Sequence, residues 1–219
     1  MKPQFELSAV LFDLDGTLAD TAPDLAAAVN KMRSERHLAL APYDHLRPYA
    51  SAGARGLLGA GFGLTPDDDN YEAMRLEFLT HYENALCQHS RLFDGVTELL
   101  GLITDRKLPW GIVTNKATRF TRPLVPLLGL QHANCVISGD TTAHSKPHPA
   151  PLLEAARQLN VPAPNCCYIG DDLRDIQAAQ AAGMFSIAAA WGYCGQSEPK
   201  HWQADLILNK PTELFRFLA

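Results

Sequence analysis

The segment Val10-Leu11-Phe12-Asp13-Leu14-Asp15-Gly16-Thr17 runs an apolar stretch into a glycine turn and sets two carboxylates one residue apart at the junction. At a strand end, positions i and i+2 point to the same side, so Asp13 and Asp15 can face one reacting centre. A D-x-D pair alone is a weak signal and more often just a solvated loop; the apolar strand before it and Gly16-Thr17 after it argue for a built site. Far downstream, Tyr168-Ile169-Gly170-Asp171-Asp172-Leu173-Arg174-Asp175 places further carboxylates at another strand end. Hard oxygen ligands of this kind suit Mg²⁺, which keeps several waters and takes one or two carboxylates plus a substrate phosphate. Asp171, directly after the strand, is the better ligand, whereas Asp172 reads as a complement to the dipole of the helix that follows.

Two more polar positions complete the set. Thr114, after Ile112-Val113, offers a hydroxyl and exposed backbone N–H groups to a phosphate, although a lone threonine after a strand is far more often a helix cap. Lys146, in Ser145-Lys146-Pro147-His148-Pro149, is a cation stiffened by Pro147 ahead of a proline-initiated helix. A lone loop lysine is ordinarily solvated. Four such segments in one chain shift the reading toward a site for a phosphate.

These residues need a scaffold that brings distant segments together. Short, nearly continuous apolar runs at Ala9 to Phe12, Trp110 to Val113, Cys135 to Ile137, Cys167 to Ile169, Ser186 to Ala189 and Asp205 to Leu208 alternate with helical patterns. That is the rhythm of βαβ units around a buried parallel sheet. Asp13, Thr114 and Asp171 each follow a strand directly, at the carboxyl ends where open α/β sheets bind ligands. Between Asp20 and about Leu92 the strand rhythm stops. Thr21, with Asp24 three residues on, predicts the start of a helix carrying Leu25, Ala28, Val29 and Met32 on one face. Thr65, Pro66 and Asp68 predict the start of a longer one with Tyr71, Met74, Phe78, Tyr82 and Ala85 along a face. The glycine-rich stretch Leu46 to Leu64 predicts a short helix between turns, and Gly129 and Gly183 predict helix ends. The expectation is an α/β fold: a core over residues 1–19 and 93–219, with an all-helical insertion over 20–92.

Bulk properties narrow the function. The 219 residues are 47% hydrophobic and 20% charged, ordinary values for a globular protein. The net charge of −5 is spread without long runs and provides no footprint for nucleic acid or an anionic membrane. The N-terminus lacks a secretory pattern and no apolar stretch approaches a membrane span, so a cytoplasmic protein beginning near Met1 is expected. Five cysteines without a C-x-x-C pair predict buried thiols and not a disulfide framework or zinc ribbon.

Taken in order, DLDGT (Asp13 to Thr17), VTN (Val113 to Asn115), SKPHP (Ser145 to Pro149) and GDDLRD (Gly170 to Asp175) resemble the four motifs of the haloacid dehalogenase superfamily. The resemblance spans almost the whole chain and implies a Rossmann-like core with the insertion as a helical cap over the active site. It implies that Asp13 is a nucleophile forming an aspartyl phosphate, and that Asp15 protonates the leaving alkoxide and later deprotonates water. It further implies Mg²⁺ held by Asp13, the backbone carbonyl of Asp15 and Asp171. Lys146, the Thr114 hydroxyl and the Asn115 N–H would bind the phosphoryl oxygens. Asp175 would hold a metal-bound water or fix Lys146. The carboxylate at position 15 disfavours dehalogenases, phosphonoacetaldehyde hydrolases and ion-pumping ATPases, which lack it; a sugar phosphomutase would share all four motifs and is the enzymatic rival.

Within the superfamily, the chain is similar to phosphoglycolate phosphatases in Asp20-Thr21 and in the size of the insertion. More narrowly, LEFLTHYENALCQHSRLFDGVTELL (Leu76 to Leu100) and LPWGIVTNKATRF (Leu108 to Phe120) resemble bacterial N-acetylmuramic acid 6-phosphate phosphatases of cell-wall recycling. The implied partner is a small phosphate ester, with the protein a monomer or weak homodimer. Arg47, Ser51, Arg55, Gly53 and Gly56 are candidates for a substrate-facing loop, with Arg47 or Arg55 pairing with a substrate carboxylate; a solvated helix surface explains the same arginines equally well.

Overall fold

The apolar runs become strands. The computed structural model describes residues 6–195 and 197–218. In it β1 (Ala9–Phe12), β4 (Trp110–Val113), β5 (Cys135–Ile137), β6 (Cys166–Gly170), β7 (Phe185–Ala189) and β8 (Leu206–Leu208) form a parallel six-stranded sheet in the order β5-β4-β1-β6-β7-β8. Every residue of β1, β4 and β6 is buried, as strands covered on both faces must be. The pleat divides them: Val10, Phe12, Ile112 and Ile169 join one apolar cluster, while Ala9, Leu11, Val113 and Tyr168 join the other. Helices α5 (Val96–Asp105), α6 (Thr118–Leu127), α7 (Ala150–Leu159), α8 (Leu173–Ala181) and α9 (Leu214–Leu218) alternate with the strands. Gly129 and Gly183 have positive φ just past α6 and α8, closing both helices as expected.

The strand order positions the site. From β1 the chain builds outward through β4 and β5 on one side, then returns to build β6, β7 and β8 on the other. Direction reverses at β1, so a crevice opens at the carboxyl ends of β1, β4 and β6. Asp13, Thr114 and Asp171 are the residues that follow those three ends.

Between β1 and β4 a two-stranded antiparallel ribbon, β2 (Ala19–Asp20) with β3 (Arg91–Leu92), brackets four helices: α1 (Ala22–Glu35), α2 (Tyr43–Leu46), α3 (Gly53–Phe62) and α4 (Tyr71–Asn84). They have their own core, with Leu25, Val29 and Met32 of α1 packed with Leu57 and Leu58 of α3 and Met74, Phe78 and Tyr82 of α4. Each such side chain contributes about 1.5–3 kcal/mol by leaving water. Phe120 and Tyr193, from the sheet-bearing part, join this cluster and tie the two parts together. No helix among the described residues is long and apolar enough to cross a membrane. All five cysteines are free thiols; Cys135, Cys166 and Cys167 are buried, Cys87 and Cys194 partly so.

Two local expectations fail, each because a side chain has another partner. Thr21 occupies the N-cap position of α1 but caps nothing, since its hydroxyl bonds Asp15, and Asp24 accepts from Ser90 and the His89 N–H instead. Thr65 and Asp68 bond each other in a turn, so α4 starts only at Tyr71.

Candidate active site

The four motif segments meet at the carboxyl rim of the sheet. Lys146 is the hub: its buried Nζ lies 2.9 Å from Asp13 Oδ1 and 2.7 Å from Asp175 Oδ1, and donates to the Tyr168 hydroxyl at 2.7 Å and the Val113 carbonyl at 3.0 Å. Its backbone is held as firmly. The Asn115 side-chain amide donates to the Lys146 carbonyl and its oxygen accepts the Lys146 N–H, both at 2.9 Å. Thr114 is buried, and its N–H is taken by the Ile137 carbonyl in the sheet, so that group is not open to a substrate as expected. The Thr114 hydroxyl accepts the Lys116 N–H at 3.1 Å and keeps its own hydrogen to donate.

Asp171 is fully buried, accepting the Thr17 hydroxyl at 3.1 Å on Oδ1, and the Tyr193 N–H at 2.8 Å and Ser51 hydroxyl at 3.2 Å on Oδ2. It fits between two glycines. A Cβ on Gly16, whose φ is +86°, would lie 2.2 Å from Asp171 Oδ2, and one on Gly192 would lie 2.2 Å from the Asp171 Cβ. Gly16→Ala is therefore expected to push Asp171 aside and lower kcat by about 100-fold, the usual consequence of an ångström-scale displacement. Steady-state kinetics of that variant will check this; activity within threefold of wild type would show that Asp171 need not sit there.

Carboxylate oxygens of Asp13, Asp171 and Asp175 lie within 4.8 Å of one another. Burial raises the Asp13 carboxyl to about 7, with Asp175 and Asp15 adding to the rise and Lys146 opposing it. Burial, then Asp13 and Asp175, likewise raise Asp171 well above the carboxylate range. Asp13 Oδ1, though ion-paired, makes no hydrogen bond. Three buried carboxylates around one ammonium carry excess negative charge on hard oxygen donors, a set that fits a divalent cation. Asp172, by contrast, caps α8, accepting the Arg174 N–H, while the Asp175 carboxylate accepts the Asp172 N–H.

Several neighbours were not legible in advance. Lys116 is buried and donates to Asp15 Oδ1 at 2.8 Å, with its ammonium 4.8 Å from the Tyr82 ring centroid. Burial alone would lower its pKa, but Asp15 beside it raises the balance. A lysine directly after V-T-N was the available signal, yet nothing in the spacing says that it turns inward. Tyr168, mid-strand, and Tyr193, whose hydroxyl accepts the Thr21 and Ala22 N–H groups, are likewise structural supports of the rim. Ser51 does face the site, as the loop reading anticipated, and Arg174 holds its carbonyl at 2.8 Å. Arg47 instead stacks 5.0 Å from the Tyr193 ring centroid, and Arg55 is exposed; neither lines the cavity.

That cavity, of about 490 Å³, extends from Asp13, Asp15 and Thr114 to Ser51, Leu76, Leu79 and Tyr82 of the insertion, with Lys116, Arg75, Arg119 and Arg174 as its cations. A larger groove of about 820 Å³ near Leu100, Leu108 and Leu128 shares no residue with the carboxylate site.

A six-stranded parallel sheet flanked by helices, with an aspartate-rich carboxyl rim and a helical insertion beside it, is an α/β architecture of the Rossmann-like kind. Residues 10–189 match the haloacid dehalogenase-like hydrolase family, and the chain belongs to it. It is a phosphatase of that family, a phosphoric monoester hydrolase. A phosphoglycolate phosphatase of Xanthomonas campestris pv. campestris is 48% identical over 209 residues, 94% of each chain. An N-acetylmuramic acid 6-phosphate phosphatase of Pseudomonas putida is 42% identical over 210 residues, 95% of this chain and 94% of that one. The crystal structure of a predicted phosphoglycolate phosphatase from Haemophilus somnus 129pt shares the fold at a TM-score of 0.87, with 24% identity, covering 99% of this chain and all of the other.

Proposed function

We propose that the enzyme is a Mg²⁺-dependent phosphatase that works through an aspartyl phosphate on Asp13, on N-acetylmuramic acid 6-phosphate or phosphoglycolate, with the sugar ester preferred. The observation that carries the preference is the cavity of about 490 Å³ beyond Asp13, walled by Leu25, Leu76, Phe78, Leu79 and Phe120. Its volume and apolar wall accommodate a sugar ring, whereas a two-carbon acid would leave most of it to water. Residues 20–92 then act as the cap that supplies this wall.

Asp13, the Asp15 carbonyl and Asp171 would hold Mg²⁺, which when bound neutralises the carboxylates and orients the phosphoryl oxygens. An Asp13 carboxylate oxygen attacks phosphorus in line. The Lys146 ammonium, the Thr114 hydroxyl and the Asn115 N–H stabilise the equatorial oxygens as charge develops. Asp15 gives a proton to the departing alkoxide and then takes one from the water that hydrolyses the intermediate.

The test is kcat/KM for both esters with Mg²⁺, following free phosphate. The sugar ester is expected to exceed phosphoglycolate by at least tenfold, about 1.4 kcal/mol of discrimination. The reverse order would overturn the preference, and an isomerised phosphosugar without free phosphate would make the enzyme a mutase.

A further inference from the structure

Lys116 is a buried ammonium that the reaction as described does not use. It sits at the seam between sheet and insertion, against Asp15 on one side and the Tyr82 ring on the other. Its contact with Asp15 is selective: Lys116 Nζ at 2.8 Å and the Thr21 hydroxyl at 2.5 Å both donate to Oδ1. Both of these hydrogen bonds from described residues fall on Oδ1 and neither on Oδ2. Two donors on one oxygen, from segments about 100 residues apart, hold the carboxylate in one orientation and leave the other oxygen open.

The geometry points to Lys116 as a positioning residue that, with Thr21, pins Asp15 by Oδ1 so that Oδ2 alone carries the proton exchanged with the leaving alkoxide. This rests on the reading of Asp15 as the acid and base. Each supporting donor is placed by the insertion: Thr21 begins α1, and Tyr82 of α4 forms the face on which the Lys116 ammonium rests. Packing of the insertion thus reaches the proton-transferring oxygen through two contacts. The balance of the step is simple. The P–O bond to the alcohol breaks, a bond from phosphorus to an Asp13 oxygen forms, and the proton on Asp15 Oδ2 passes to the alcohol oxygen. A carboxylate free to turn would present that proton in the wrong direction for part of the time.

The test uses leaving groups. kcat/KM reports steps through departure of the alcohol, and an alkyl alkoxide needs a proton to leave whereas p-nitrophenolate does not. Lys116→Met is expected to lower kcat/KM by about 30-fold for an alkyl phosphate but by no more than about threefold for p-nitrophenyl phosphate, short of the about 10²–10⁴-fold that a general acid contributes in full because the acid is misaligned and not removed. Lys116→Arg, which restores a donor, should recover much of the alkyl activity. Thr21→Val, the milder change, should show the same selectivity at smaller size and covers the case in which Lys116→Met fails to fold. Equal losses on both substrates in the folded variants would overturn the proposal by marking the role as structural. Asp15→Asn serves as the control: if it too loses both substrates equally, the assignment of Asp15 as acid fails, and not the positioning role alone.

Discussion

Asp13→Asn is expected to abolish turnover, lowering kcat by about 10⁴-fold or more, as loss of a nucleophile does. The amide matches the carboxylate in shape, so the fold should survive, and mass spectrometry of the wild type quenched during turnover should find a phosphate on Asp13 that the variant lacks. Activity within tenfold of wild type would remove the nucleophile assignment. The same substitution has a second, opposite consequence for stability. Burial raises the Asp13 carboxyl from 3.8 to about 7, so the folded protein holds this proton more tightly than the unfolded chain does. The stability that follows is complete below about pH 4 and is lost as pH rises through about 7. In EDTA, wild-type Tm should therefore fall between about pH 5 and pH 8, and Asp13→Asn should fall less because the titrating group is gone. Saturating Mg²⁺ should raise Tm more at the higher pH, where the carboxylates it binds are ionised. An identical fall in Tm for both proteins, without metal, would show that Asp13 is not the strained group.

The rim of the sheet was legible because parallel strands write themselves as apolar runs, and a polar residue directly after such a run can only lie at its carboxyl end. Asp13, Thr114 and Asp171 each occupy that place, and the strands Trp110–Val113 and Cys135–Ile137 coincide with the apolar runs. What the sequence could not disclose is which polar side chain turns inward. Arg47 reads as a candidate for the substrate-facing loop yet lies over Tyr193, whereas Lys116, which the motif reading passes over, packs against Asp15. The choice is made by packing across segments about 100 residues apart, which local spacing does not encode. Thr21 shows the same limit from the other side, since a helix-capping residue and a ligand for Asp15 have the same sequence signature.

Lys146→Met should produce the largest combined loss of activity and stability. The ammonium is buried among Asp13, Asp175, the Tyr168 hydroxyl and the Val113 carbonyl, and methionine fills the space without the charge. Removing one member of a buried ion pair leaves the other uncompensated, at a cost of about 3–5 kcal/mol. Activity should fall by about 10³-fold as the phosphoryl oxygens lose a preorganised cation. These two losses have separable origins, because Asp175 is held by Lys146 and by the Asp172 N–H, whereas Asp13 is the proposed nucleophile. Adding Asp175→Asn to Lys146→Met removes one of the orphaned charges, so denaturant midpoints should recover by more than half of the loss while kcat stays low. If the double variant is no more stable than the single one, the burial of uncompensated carboxylate is not what destabilises it. Recovery of kcat together with stability would mean that Lys146 acts through folding alone and not on the phosphoryl group.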